Sequence, residues 1–247
     1  MEAYADPMFG LFVIGGTVVS MATFLLIAGP LTFIAWRDPP SLRIYRIQRR
    51  PPSHPGRLVR RGLSVWLLNN ALLFALITAA WPLLRSISTI HAGPVPAWYV
   101  VLGQVLAFIY LDDFLYYFMH RTLHRRPWLW KRIHAWHHRT KTPWAIAGHD
   151  MHPAEFIATA GLMLVGPFVL GCHVLTLWIW IAFRQLEAAE GHSGYAFPIS
   201  LTRLLPGSDG ARHHDAHHSQ VQGNFAGFLA YLDGWFKTYS KGYERHP

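Results

Sequence analysis

Long apolar runs separated by short polar connections dominate this chain. Met8–Trp36 is long enough to cross a bilayer with tilt and is interrupted near its end by Gly29 and Pro30. Leu63–Leu84 follows, carrying Asn69 and Asn70, and then Ala97–Met119, carrying Asp112 and Asp113. The last run, Phe156–Phe183, is broken by Gly166, Pro167 and Gly171. The pattern predicts an all-α integral membrane helical bundle with about four membrane regions. The first of its two parts is an N-terminal transmembrane region over residues 1–96.

Composition supports the membrane. Of 247 residues, 52% are hydrophobic and only 14% charged. The net charge of +9 comes from basic residues that flank the apolar runs, so membrane topology accounts for it and nucleic acid is not an expected partner. Cys172 is the only cysteine, which excludes an internal disulfide, cysteine-ligated zinc and an iron–sulfur cluster. The acidic start Met1-Glu2-Ala3-Tyr4-Ala5-Asp6 lacks the basic n-region of a cleavable signal peptide, so the first run is expected to persist in the mature protein.

Arg37 to Arg61 carries eight arginines against the single acid Asp38, and residues 120–143 carry seven basic side chains. The 85–96 connection has only Arg85 and the N-terminus only Glu2 and Asp6. The positive-inside rule then places the N-terminus and 85–96 outside, and 37–61 and 120–143 in the cytoplasm. Residues beyond 200 rejoin that side only if Phe156–Phe183 belongs to a helical hairpin. That hairpin is expected over about 155–190, turning near Gly166–Gly171, with helices of roughly 27 Å, short but nearly spanning.

Histidine changes the picture most. Half of the sixteen histidines fall into three boxes: His120-x-x-x-His124, His134-x-x-His137-His138 and His214-x-x-His217-His218. Residues three and four apart share a helix face, so each box projects its imidazoles together. Eight neutral imidazoles converging from three helices can hold more than one transition metal, and iron, zinc, copper and nickel all accept them. Isolated His54, His91, His173 and His246 read as structural. Asp113, Tyr117, His120 and His124 lie on one helix face. A carboxylate at that depth is costly, so Asp113 is expected to accept the free N–H of a ligating imidazole. Glu155, Glu187 and Glu190 are further candidates for such a role or as ligands. A site beside the bilayer implies a lipid substrate. No flavin, nicotinamide or ferredoxin fingerprint is present, so electrons must come from another protein.

The order of the boxes and spans resembles the sterol desaturase / fatty acid hydroxylase superfamily of membrane di-iron oxygenases over roughly residues 100–242. His152-Pro153-Ala154-Glu155, the run from Glu190 to Pro198, His213 to Ser219, Asn224-Phe225-Ala226 and Tyr231 to Thr238 also match. The His192-Ser193-Gly194-Tyr195-Ala196-Phe197-Pro198 run is most similar to the C4-methylsterol oxidase and cholesterol 25-hydroxylase branches. Ala188 stands where some relatives carry another histidine, and Lys237 where glycine is usual.

The resemblance implies that residues 97–247 form a fatty acid hydroxylase-like catalytic domain on the cytoplasmic side of a bacterial inner membrane or endoplasmic reticulum. It implies two iron ions, dioxygen as co-substrate, and a cytochrome b5 or ferredoxin/reductase type of electron donor. His192 becomes a ninth ligand and His152 a tenth, with His213 left open. The expected reaction is hydroxylation or methyl oxidation of a sterol-like or long-chain lipid, with Asp113, Tyr117 and Glu155 supporting the site. A lipid desaturase with the same ligands is the alternative. A zinc-dependent hydrolase, which would lack an evident base or nucleophile, and a metal transporter are the rivals from other classes.

Overall fold

The computed structural model describes residues 2–50, 52–227 and 229–243; His246 lies outside them. The protein is all-helical among these residues. Helix α1 (Pro7–Arg37), α2 (Pro55–Ile87), α3 (Trp98–Arg125) and α4 (Pro153–Leu170) are each long and apolar enough to cross a membrane. They are followed by α5 (Val174–Gly191), α6 (Ala211–Gln220) and the short α7 (Tyr231–Phe236). Among the described residues β-pairing is confined to isolated bridges.

Local chemistry sets the boundaries. Prolines open α2 and α4, where the missing N–H costs nothing. His152 caps α4, its Nδ1 accepting the Ala154 N–H at 3.1 Å, and His173 caps α5 through Leu175 N–H at 3.1 Å. Between them Gly171 adopts φ +64, open only to glycine without strain, and a Cβ there would press on Thr89. The expected hairpin is therefore present as two 18-residue helices, about 27 Å each.

The bundle has two chemically different ends. At one, Asp6 pairs with Arg85, and His91 and His173 stack edge-on across the turn between α4 and α5. At the other, Gln48 reaches Asp215 and the Lys141 carbonyl, and Arg61 reaches Asp150 and Thr140. The hairpin thus returns the chain to the end where the arginine-rich 37–61 stretch and all three histidine boxes meet.

Trp81, Phe108, Ile109, Leu177 and Trp180 form the main core. A second cluster, Phe24, Ala28, Trp66, Ile146 and Ala189, joins α1, α2 and α5 to the turn Ala145–His149. Leu26, Phe33, Leu67, Leu68, Leu83 and Val169 point outward, an apolar girdle that a bilayer accepts and water penalises.

Candidate metal centre

Nine imidazoles meet at the charged end of the bundle in two groups. His120, His124, His134, His138 and His217 form one, and His137, His192, His214 and His218 the other, with the candidate ligand atoms of each group within 4.8 Å of one another. The first box sits on α3 and the third on α6. The second was expected on an α-helix but occupies a tight 3-10 turn, His134–Arg139. Both three-histidine boxes divide between the groups. His214 and His218, one turn apart on α6, face the second group while His217 turns to the first; His137 parts in the same way from His134 and His138.

The nitrogen geometry tests whether metals fit. In the first group His134 Nε2 lies 2.8 Å from His124 Nε2, 3.1 Å from His120 Nε2 and 3.0 Å from His138 Nε2. In the second, His192 Nε2 lies 3.2, 3.0 and 3.1 Å from the Nε2 atoms of His137, His214 and His218. The far sides of four of the nine rings are committed to backbone carbonyls. The Nδ1–H groups of His120, His217, His218 and His192 donate to the carbonyls of Phe225, Gly223, Thr140 and Ala188 at 2.7 to 2.9 Å. A carbonyl can only accept, so these protons are on Nδ1 and the Nε2 lone pairs face inward. Opposed lone pairs near 3 Å repel unless a cation lies between them. Two nitrogens that each lie about 2.1 Å from one ion are about 3.0 to 3.4 Å apart at right or tetrahedral angles. The residues present therefore fit a metal ion in each group.

Burial pushes His217 down to about 3 and holds His137, His138, His192, His214 and His218 below the usual imidazole range, so these six stay neutral as ligation requires.

Glu155 sits where a supporting carboxylate is useful, its Oε1 2.7 Å from His134 Nδ1. Asp113 does not hold the first box as expected. Its seven-residue separation from His120 shares a helix face but sets it about 10 Å deeper along the axis. The His120 N–H goes to Phe225 instead, and Asp113 Oδ1 receives the Leu229 N–H at 3.4 Å. Tyr117 also turns from the centre, bonding Thr238 at 2.9 Å and stacking on Phe236. Its neighbour Tyr116 packs on the His120 ring at 5.1 Å. His152 stands outside both groups because its Nδ1 lone pair caps α4. His213 is likewise outside, paired with buried Asp233 at 3.1 Å. Glu187 pairs with Arg184 rather than joining either group.

Three features escaped sequence reasoning. Trp130 covers the first group, its ring 5.0 Å from His124 and 5.3 Å from His138. His149 stacks on Phe24 at 4.2 Å beside the second group. The turn carrying it approaches α5 so closely that a Cβ on Gly148 would lie 2.8 Å from the Ala188 carbonyl. Arg184, the one basic residue of α5, lies buried between Asp112 and Glu187; a cation in so apolar a stretch was the visible signal.

A cavity opens beside the second group, lined by His137, His192 and His214 with Tyr116, His149, Arg184, Gln185 and Glu187. Ser20, Leu73, Ala160 and Met163 also line an adjoining apolar cavity between α1, α2, α4 and α5, which includes Phe12, Phe74, Leu164 and Ile181. The two share these residues, so apolar space between the spanning helices adjoins the imidazoles.

A profile of the family described as fatty acid hydroxylase matches residues 105–238. The chain is 35% identical to methylsterol monooxygenase 2-2 of Arabidopsis thaliana over 96% of its own length and 88% of the relative's. It is 36% identical to the very-long-chain aldehyde decarbonylase GL1-11 of Oryza sativa subsp. indica, over 78% of this chain and 73% of that one. A putative methylsterol monooxygenase of Dictyostelium discoideum is 34% identical over 83% of this chain and 76% of its own. No solved structure matches.

Proposed function

The chain belongs to the fatty acid hydroxylase family, and from that premise we propose that it is a membrane di-iron oxygenase acting on a sterol-like or long-chain lipid. The observation that carries this reading is the inward convergence of nine Nε2 atoms in two groups, the second of which borders a cavity adjoining apolar space between the spanning helices. Neutral imidazole donors suit iron, whereas zinc in the same cage would bring no redox chemistry. Iron in this place supplies dioxygen activation and oxidation of an unactivated C–H bond.

The protein's own groups do the positioning. Glu155 and the four carbonyls fix the ring orientations, so the Nε2 atoms stay directed inward. Trp130 narrows access to the first group from the polar side. The apolar space admits a hydrocarbon and excludes bulk water from the second group. Electrons come from a separate carrier of the cytochrome b5 or ferredoxin type. Exposed Arg125 and Arg126 beside the short helix Pro127–Arg132 offer an acidic partner a landing surface.

A direct test loads the purified full-length chain with iron or with zinc and supplies reductant and dioxygen alongside methylsterol or long-chain aldehyde substrates. Oxidised product is expected with iron alone. Equal turnover with zinc in the absence of oxygen would replace the oxygenase by a hydrolase.

We place the metal groups on the cytoplasmic side, because the arginine-rich 37–61 stretch shares their end of the bundle. Native Cys172 is buried, which leaves introduced cysteines to report alone. His91→Cys should react with an impermeant reagent from outside, and His54→Cys and Gly210→Cys only after the membrane is opened. Outside labelling at position 210 contradicts the assignment.

A further inference from the structure

A cationic cleft that the metal centre does not use opens at the start of α2. It has a volume of about 380 Å³ and is lined by Arg57 and Arg61 of α2, by Arg139 and Lys141 after the second histidine box, and by the hydroxyls of Ser53 and Thr142. Two of the four cations are fixed in place. Arg61 donates through Nε to Asp150 Oδ2 at 2.6 Å and through Nη2 to Thr140 Oγ1 at 2.9 Å, and the Arg139 guanidinium lies 4.7 Å over the Trp136 ring. Arg57, Arg139 and Lys141 are exposed and have no carboxylate partner among the described residues. No Asp or Glu lines the cleft among those residues. Cations gathered around one cleft repel one another unless an anion stands between them, and guanidinium forks match the oxygens of a phosphate.

The depth of the cleft indicates which anion it takes. Trp36, at the end of α1, is exposed, and a Cβ on Gly56 would stand 3.7 Å from its ring. Tryptophan favours the headgroup level of a bilayer, which sets the first turn of α2 at that level. Leu68 and Leu72 follow Arg61 on the same helix face, within about 20° of it around the axis and roughly 10 and 16 Å further along, and both are exposed. The outward face of α2 is thus cationic at the headgroups and apolar beneath them. We propose that the cleft binds the phosphate of an anionic phospholipid, whose acyl chain runs down α2 over Leu68 and Leu72. Basic pockets between spanning helices recognise headgroups in this way. A zwitterionic headgroup brings its own ammonium among the arginines and loses the advantage. Neither oxygen chemistry nor the identity of the oxidised lipid bears on this site.

In the test, full-length protein in mild detergent is titrated with dioleoylphosphatidylglycerol, with dioleoylphosphatidylcholine and with inorganic phosphate, and bound molecules are counted by native mass spectrometry. Phosphatidylglycerol should bind about tenfold more tightly than phosphatidylcholine, and replacing Arg57 and Lys141 together by glutamine should bring that ratio to about two or less. Both side chains are exposed, so the double variant keeps the fold, which a melting curve checks. Lys131→Gln with Arg132→Gln removes the same charge from exposed positions outside the cleft and should leave the ratio unchanged. Equal affinity for the two lipids overturns the site. So does an equal loss of preference in both double variants, which would reveal a general surface field. Inorganic phosphate that binds through Arg57 and Lys141, with no preference between the lipids, overturns the lipid assignment and makes the cleft a site for a soluble phosphate.

Discussion

Replacing His192 with alanine is expected to empty the second metal group and to abolish turnover. His192 is the hub of that group, since the Nε2 atoms of His137, His214 and His218 each lie 3.0 to 3.2 Å from its own. Removing it leaves three ligands and a buried void that a methyl group does not fill. Its Nδ1–H also ties the ring to the Ala188 carbonyl at 2.8 Å, which holds Nε2 toward the other three. Metal content should fall from about two ions per chain to about one, and turnover by more than about 100-fold. That exceeds the roughly 10- to 100-fold loss typical of a partner that only orients a ligand. Glu155→Gln belongs to the second kind: it keeps an acceptor for His134 but removes the charge, so weaker metal retention with both ions still bound is the expected result. Metal analysis of the two variants beside a melting curve separates these outcomes. A His192→Ala protein that kept both ions would show the grouping of ligands to be wrong.

Asp233→Ala should damage the centre from behind. Asp233 is fully buried and accepts the N–H groups of Phe225 and Ala226 at 2.9 and 2.8 Å and the Thr238 hydroxyl at 2.6 Å, while facing His213. The Phe225 carbonyl in turn holds the His120 ring at 2.7 Å. Alanine leaves the donors and the His213 ring without their partner. Breaking a buried pair of this kind costs about 3–5 kcal/mol, a large share of an ordinary folding free energy. Burial acts to raise the Asp233 pKa, but the contacts with His213, Thr238 and Ala226 outweigh it and hold the carboxyl below its usual value. Its contribution is therefore complete above the unfolded-state pKa of about 4 and fades as pH falls through the lower folded-state value. Melting curves between pH 7 and pH 3 should show a large deficit for the variant at neutral pH that narrows in acid. A deficit below about 1 kcal/mol at pH 7 would mean that the network is incidental.

Much of this architecture was legible in the order of residues because its signals are local. Apolar length marked the spanning helices, and charge in the connections required the hairpin between Pro153 and Gly191. Histidine spacing identified eight of the nine converging rings. His192, which belongs to no box, came only through the family resemblance. What stayed hidden depended on approach between distant segments. Which histidine of a box serves which group is decided by how α6 and the 134–139 turn face α3, and spacing carries no record of that. Asp113 and Tyr117 share a face with His120 in projection, yet depth along the axis separates the first and a rotation of one residue replaces the second by Tyr116. His152 and Glu155 are three residues apart; a helix N-terminus claims the first, and His134 claims the second. Arg184 was visible as the one basic residue of α5, but its meaning needed Asp112 and Glu187 beside it.

Incubating the iron-loaded chain with reductant, a lipid substrate and oxygen-18 dioxygen, followed by mass analysis of the product, tests the central claim most directly. The account predicts one labelled oxygen atom in the oxidised lipid for each dioxygen consumed, with nothing formed when dioxygen is withheld. Product oxygen drawn from solvent water, with dioxygen unnecessary, would contradict it.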